Sequence, residues 1–86
     1  MDAGTIQNLG HVAGALTTLA FVPQVVRVLT TKQTRDISLP MFVLFVVGVS
    51  LWLGYGWALQ AWPIVLANGA TLVLAIIILV CKLRYG

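Results

Sequence analysis

Two residues of this chain, Trp52 and Asn68, have side chains that could bind a polar molecule within an otherwise apolar sequence. An indole ring offers an apolar plate with one hydrogen-bond donor, and a carboxamide offers both donors and an acceptor. Together they suit a polyol such as a sugar, whose C–H face can lie on the ring while its hydroxyls bond the amide. The structural alternatives are a tryptophan at the membrane interface and an asparagine that bonds a neighbouring helix.

A Pro-Gln pair, Pro23-Gln24, lies inside the first apolar stretch. Proline lacks the backbone N–H that would bond the carbonyl of Leu19, so a helix is expected to weaken or kink at that point. Lipid cannot solvate the freed carbonyl, and the adjacent glutamine amide favours a hinge that faces a polar cavity. Thr17 and Phe21 recur with Gln24 at helical spacing and are predicted on the same, protein-facing side.

Groups that usually couple transport to protons are missing from the apolar stretches. These stretches contain no Asp or Glu. Apart from Arg27 at the inner end of the first stretch, Tyr55, and Cys81 just past the third, His11 is their one titratable side chain. Because proton-coupled carriers usually need a buried carboxylate or a histidine relay, the sequence favours downhill, uncoupled movement of a substrate. No nucleophile, metal-ligand cluster or glycine-rich phosphate loop occurs, so we predict neither an enzyme nor a cofactor or metal site.

The composition of the chain is that of an all-α integral membrane protein. Hydrophobic residues make up 60% of it, and only five Lys or Arg and two Asp or Glu occur among 86 residues, whereas about 25% of a soluble domain is charged. Three apolar runs, at about 6–29, 39–59 and 63–80, can each cross a hydrocarbon core about 30 Å thick. They predict one three-helix unit over residues 1–86. On antiparallel neighbours, Trp52 and Asn68 would lie at similar depth, roughly 10 Å inside one boundary.

Small residues recur at four-residue spacing in all three runs. This spacing lets transmembrane helices approach closely, and the bulky aliphatic residues opposite are expected to face lipid. The small residues are Gly10 and Gly14 in the first run, Ser50 and Gly54 in the second, and Ala67, Thr71 and Ala75 in the third.

All five basic residues fall on one side of the membrane if the chain crosses it three times. The positive-inside rule makes this side cytoplasmic, which places the N-terminus outside and the C-terminus in the cytoplasm. Topology and contacts with lipid head groups account for the positive charge, so no nucleic-acid partner is predicted. The basic residues are Arg27, Lys32, Arg35, Lys82 and Arg84.

Three helices cannot easily surround a cavity for a sugar and shield it from lipid, so we expect an oligomer. The smallest symmetric solution is a homodimer with six helices. Both protomers must share the orientation that the basic residues set. The dimer is therefore predicted to be parallel, with its two-fold axis along the membrane normal and the substrate site on or near that axis.

The sequence resembles the PQ-loop pattern and the bacterial SemiSWEET sugar transporters. The resemblance rests on Phe-Val-Pro-Gln at 21–24, on Lys-Gln-Thr-Arg-Asp-Ile-Ser at 32–38, on the Trp52 to Asn68 spacing and on the length of 86 residues. It covers nearly the whole chain. SWEET transporters are themselves an example of parallel repeats about an axis along the membrane normal, the geometry expected for the dimer.

This resemblance implies a uniporter of the bacterial inner membrane that moves mono- or disaccharides by alternating access. Trp52 and Asn68 match the sugar-contacting tryptophan and asparagine of the family. We add Thr17 to the predicted substrate-binding residues.

The resemblance also implies two gates. Pro23 and Gln24 match the hinge that opens and closes the cytoplasmic side, where we also assign Phe21, and Tyr55 matches a tyrosine of the outer gate. Some relatives add a charged pair beyond that tyrosine. This chain has uncharged residues at 59–61 instead, so a charged outer gate is not expected.

Two other functions remain open from the sequence. A holin-like pore former can also have three spans, an outside N-terminus and a basic cytoplasmic tail, but it offers no role for a Trp and Asn at one depth. A structural or regulatory subunit of a larger complex is the second alternative.

Overall fold

A computed structural model describes all 86 residues and contains three α-helices. They are α1 (Ala3–Thr31), α2 (Leu39–Ala58) and α3 (Trp62–Tyr85). All three are long and apolar enough to cross a membrane. The protein is therefore an all-α, multi-pass membrane protein with three helices, as its composition predicts. Both α1 and α3 extend past the apolar runs expected at 6–29 and 63–80, because helical hydrogen bonding continues into the polar residues at their ends.

Polar side chains cap the first two helices at their N-termini. The Asp2 carboxylate accepts a hydrogen bond of 2.7 Å from the Thr5 backbone N–H at the start of α1. Hydrogen bonds from the Thr5 backbone and side chain lower the pKa of Asp2 below its ordinary value of 3.8. The Ser38 hydroxyl accepts from the Met41 N–H at 3.4 Å at the start of α2. Pro40 lies in the first turn of α2, where the missing N–H would have no helical partner.

Residues in the left-handed backbone conformation end the first two helices. Lys32, with φ of 57°, closes α1 by donating its N–H to the Val28 carbonyl at 2.9 Å. Gln60, with φ of 54°, reverses the chain between α2 and α3. The two connections are short, at 32–38 and 59–61, so the three helices run antiparallel to their sequence neighbours.

Helix α3 is the centre of the bundle. Both α1 and α2 pack along it, whereas the backbones of α1 and α2 do not contact each other. The small core follows from this order. Ala75 and Ile78 of α3 and Val28 of α1 are fully buried, and Val49 of α2 is buried with 7% of its surface exposed. Only eight of the 86 residues are buried, so most of the helix surface must be covered by lipid or by another protein chain.

Close helix approaches confirm part of the small-residue prediction. A Cβ added to Gly14 would lie 2.6 Å from the Ala67 Cβ, and one added to Gly10 would lie 2.9 Å from the Pro63 Cβ. In α2 no helix of the same protomer covers the Ser50 and Gly54 pair at Gly54, where an added Cβ would meet nothing within 4 Å. The close approach there is at Gly56, where an added Cβ would lie 2.6 Å from Ile64 Cγ2.

The basic residues lie together at one end of the bundle. The Lys82 ammonium donates to the Thr34 carbonyl at 2.9 Å, which fastens the 32–38 loop to the end of α3. The ammonium of Lys32 lies 5.7 Å from the centre of the Tyr85 ring, and the guanidinium of Arg84 lies 5.8 Å from it. We call this the basic end, and the opposite end, with the 59–61 turn, the aromatic end.

Candidate functional site

Contacts across α3 place the three predicted substrate-binding residues at one level of the bundle. Leu53 Cδ1 lies 3.9 Å from the position of a Cβ on Gly69, so residues 52 and 68 are level on α2 and α3. On the other side of α3, the Thr18 hydroxyl donates to the Ala67 carbonyl at 3.4 Å. Thr17, Trp52 and Asn68 therefore lie at similar depth, each on a different helix.

Trp52 has a largely uncovered ring, since 56% of the residue is exposed in the protomer. Its aromatic neighbour is Tyr55, whose ring lies 5.4 Å away at an interplanar angle of 87°. An edge-to-face contact of this kind fixes the indole while leaving a broad face free. Tyr55 lies one turn nearer the aromatic end, on the side where the sequence predicts the outer gate.

Asn68 lies on the inner side of α3. It is half-buried and shares a helix face with the fully buried Ala75, which follows it by two turns. The side-chain N–H of Asn68 donates to the Ile64 carbonyl at 2.9 Å. This bond fixes the carboxamide and leaves its oxygen available as an acceptor.

Thr17 is exposed, and its hydroxyl donates to the Gly14 carbonyl of its own helix at 3.1 Å. The sequence placed Thr17 on the protein-facing side of α1. Within the protomer, however, its neighbour Thr18 makes the contact with α3, through the Ala67 carbonyl and the Thr71 hydroxyl at 3.2 Å. Sequence reasoning missed Thr18, although the Thr71 that pairs with it was among the small residues noted in α3.

An aromatic cluster bridges α1 and α2 on the basic side of this level. The ring of Phe21 stacks on Phe45 with centroids 5.7 Å apart and an interplanar angle of 5°. Phe42 packs against both rings, at 6.4 Å from Phe21 and 5.7 Å from Phe45. Phe21 follows Thr17 by one helical turn, and Phe45 precedes Trp52 by two turns on the same face of α2. The cluster therefore spans the gap between α1 and α2, with Phe45 about two helical turns from Trp52 toward the basic end.

Pro23 lies within α1, which continues through it as a single helix. Gln24 is exposed and lines a cavity of about 720 Å³ at the basic end, beyond the phenylalanine cluster. The predicted hinge pair therefore lies between the aromatic cluster and this cavity. No three His, Cys, Asp or Glu side chains come together anywhere in the chain.

Thr17, Trp52 and Asn68 form one surface of the protomer at a common depth, which we call the wall. The phenylalanine cluster lies on the side of this wall that is nearer the basic end. A free indole face and a carboxamide oxygen can bind a molecule with both C–H and O–H surfaces. The wall belongs to one protomer only, and Thr17 and Trp52 are exposed on it.

Comparison with known proteins identifies the family. Residues 7–85 match the family described as "Sugar efflux transporter for intercellular exchange". The chain is 53% identical over 82 residues to the sugar transporter SemiSWEET of Leptospira biflexa, covering 94% of this chain and 96% of the relative. It is 46% identical over 86 residues to the SemiSWEET of Bradyrhizobium diazoefficiens, with both chains fully covered.

Solved structures agree with this assignment. A crystal structure of a bacterial homologue of SWEET transporters superposes with a TM-score of 0.88 at 40% identity, covering 95% of this chain and 99% of that one. A crystal structure of SemiSWEET in the inward-open conformation also gives a TM-score of 0.88, at 37% identity, covering 94% of this chain and 87% of that one. On matching sequence, length and fold, this chain belongs to the SemiSWEET family of sugar transporters.

Proposed function

We propose that this protein moves mono- or disaccharides down their gradient across the bacterial inner membrane. The observation that carries the proposal is the common depth of Trp52 and Asn68 above the Phe21–Phe45 stack. An indole face and an amide oxygen at one level form a site for a sugar ring, and an aromatic barrier below it keeps the site from opening to both sides at once. Relatives of nearly equal length named as sugar transporters support the substrate class.

In this proposal each side chain has a separate role. Trp52 stacks on the C–H face of the sugar, while the Asn68 oxygen accepts a hydrogen bond from a hydroxyl. The Thr17 hydroxyl lies at the same depth and adds a further polar contact. No acidic side chain lies within a helix, since Asp2 precedes α1 and Asp36 lies in the loop between α1 and α2. Movement of the sugar therefore requires no proton exchange with a buried carboxylate.

The working unit is a parallel homodimer. One protomer leaves Trp52 and Thr17 exposed, so a second wall is needed to separate a bound sugar from lipid. A second copy in the same orientation supplies that wall and puts two copies of Trp52 and Asn68 around one axis. The basic end faces the cytoplasm, because the positive-inside rule applies to all five basic residues there.

Alternating access uses the aromatic cluster and the hinge. Flexing at Pro23 and Gln24 moves Phe21 away from Phe45 and opens the basic end, while Tyr55 closes the aromatic end. The inward-open conformation described for a relative with the same fold supports a cycle of this kind.

Sugar binding and counterflow in liposomes that contain only this protein test the proposal. Trp52→Ala and Asn68→Ala should each remove measurable transport while the dimer stays monodisperse. Loss of one hydrogen bond to a hydroxyl in a dry site costs about 1 to 3 kcal/mol, which is roughly tenfold to a hundredfold in affinity. Loss of the stacking surface at Trp52 should have at least as large an effect.

Matched controls distinguish a binding role from a packing role. Trp57 is a second exposed tryptophan of α2, packed edge to face on Trp62 at the aromatic end, and Asn8 is an exposed amide in α1. Trp57→Ala and Asn8→Ala should keep near-normal sugar affinity. Wild-type affinity in both Trp52→Ala and Asn68→Ala would remove the pocket from the proposal. Leakage of ions and dyes regardless of sugar would favour a holin-like pore instead.

A further inference from the structure

The cavity at the basic end is lined by Gln24 of the proposed hinge and by several charged side chains, and these charged side chains have no role in the proposed transport cycle. Its volume is about 720 Å³, and it is bounded by the last turns of α1, by the 32–38 loop and by Tyr85 and Gly86. Three basic side chains line it, Arg27, Lys32 and Arg35, against one acidic side chain, Asp36. The lining side chains therefore carry a surplus of positive charge.

A buried hydroxyl in the wall of this cavity has no partner. Thr34 is only 2% exposed, and its Oγ1 makes no hydrogen bond. The Thr34 carbonyl is satisfied twice, by the Ile37 N–H at 3.1 Å and by the Lys82 ammonium at 2.9 Å. Buried polar groups are nearly always paired, and because this oxygen is closed off as it stands, it could pair with a ligand in the cavity only after the Thr34 side chain rotates.

Lys82 and Arg84 do not line the cavity, but they lie at the same end of the bundle and increase its positive potential. Lys82 donates to the carbonyls of Thr34 and Gly86, at 2.9 and 3.1 Å. Lys32 and Arg84 both approach the one ring of Tyr85. Like charges gathered in this way repel one another, and an anion bound between them would offset that repulsion.

We propose that this cavity binds a phosphate group, carried by an anionic lipid head group or by a free phosphate. Arginine guanidinium groups match phosphate oxygens with paired donors, and a lysine adds a point charge. Arg27 comes from α1, whereas Lys32 and Arg35 come from the loop, so the charged donors approach from different directions. That arrangement suits a tetrahedral group with several oxygens. The basic end also lies at the level of the lipid head groups.

The test uses the full-length protein in lipid nanodiscs made of phosphatidylcholine alone. Titration calorimetry with inorganic phosphate measures the free-phosphate source. Native mass spectrometry after exchange from phosphatidylglycerol into phosphatidylcholine measures retention of an anionic lipid. Saturable binding in the first arm assigns the site to free phosphate, and one tightly retained lipid per protomer in the second assigns it to a head group.

Substitutions in the cavity should weaken whichever ligand binds. Arg27→Gln and Arg35→Gln should each reduce the affinity about threefold to tenfold, as expected for a charge-assisted contact at a partly exposed site. Arg84→Gln is the matched control, because Arg84 lies at the same end but does not line the cavity. It should reduce the affinity less than either cavity variant, because Arg84 adds only to the general positive potential. Thr34→Val should weaken binding, and Thr34→Ser, which keeps the hydroxyl, should not.

Two results would overturn the inference. One is the absence of saturable binding in both arms. The other is an equal loss of affinity in Arg84→Gln and in the two cavity variants, since this would mean diffuse attraction to a basic surface. The arginine variants keep the test decisive if Thr34→Val does not fold, because Arg27 and Arg35 are exposed and take no part in the core.

Discussion

Replacement of Gly14 by alanine should separate α1 from α3. The added Cβ would lie 2.6 Å from the Cβ of Ala67, about 1 Å closer than an ordinary contact of roughly 3.5 to 4.0 Å between carbon atoms. Both atoms are bonded directly to helix backbones, so no rotamer change can relieve the clash. The two helices must move apart at the level of the proposed site.

The cost of this substitution can be worked from three terms. Overpacking typically costs about 1 to 3 kcal/mol. The Thr18 hydroxyl bond to the Ala67 carbonyl is already 3.4 Å long, and its loss adds about 1 kcal/mol. The higher helix propensity of alanine returns about 1 kcal/mol. Gly14→Ala should therefore lower the free energy of unfolding by about 1 to 3 kcal/mol.

Gly48→Ala supplies the control, because a Cβ on Gly48 would meet nothing within 4 Å. It gains the helix propensity without the clash and should be at least as stable as the wild type. Unfolding in mixed micelles of a mild detergent and dodecyl sulfate, at one protein concentration and one oligomeric state, measures the difference. Gly10→Ala should fall between the two, since its clash with the Pro63 Cβ is milder, at 2.9 Å. Equal stability of Gly14→Ala and Gly48→Ala would refute the reasoning.

Three further predictions concern the hinge, the energy source and the first helix cap. Pro23→Ala restores a backbone hydrogen bond in α1, so stability should hold or rise while liposome transport slows; a wild-type rate would make Pro23 a tolerated helix irregularity. Sugar flux should persist when the proton gradient is collapsed, and accumulation driven by imposed acidity would instead return His11 to the mechanism. The pKa of Asp2, measured by NMR, should lie below 3.8. The Asp2 cap then stabilises the fold above pH 3.8, and this stabilisation is lost as the pH falls through the pKa of the folded state. Asp2→Asn should abolish this acid dependence.

The helices and their closest packing could be predicted from the sequence because both depend on local patterns. An apolar run of sufficient length has few alternatives to a transmembrane helix. The spacing of Gly10 and Gly14 marks one face of α1 whichever helix covers it. The common depth of Trp52 and Asn68 likewise follows from their distances to the turn between α2 and α3.

Contacts between helices were harder to predict because they depend on which helix lies in the middle of the bundle. Neighbouring residues on a helix point about 100° apart, so a choice between Thr17 and Thr18, or between Gly54 and Gly56, requires the position of the next helix. The central position of α3 decides both. The Phe21–Phe45 stack and the Lys82 bond to Thr34 join residues far apart in sequence, and no local pattern indicates them.

The packing order is also compatible with the conformational change in the proposed transport cycle. Because the backbones of α1 and α2 each pack on α3 and not on each other, a motion of the inner half of α1 can leave the α2–α3 interface intact. The contacts that this motion must break are those of Phe21, two residues before Pro23, with Phe42 and Phe45. An aromatic pair of this kind contributes about 0.5 to 1.5 kcal/mol beyond its buried area, which alone is roughly twofold to tenfold in the ratio of closed to open states, and the apolar area that is exposed when the rings separate adds to this. A modest bias would let both states be populated in one protein, as the proposed downhill transport cycle requires.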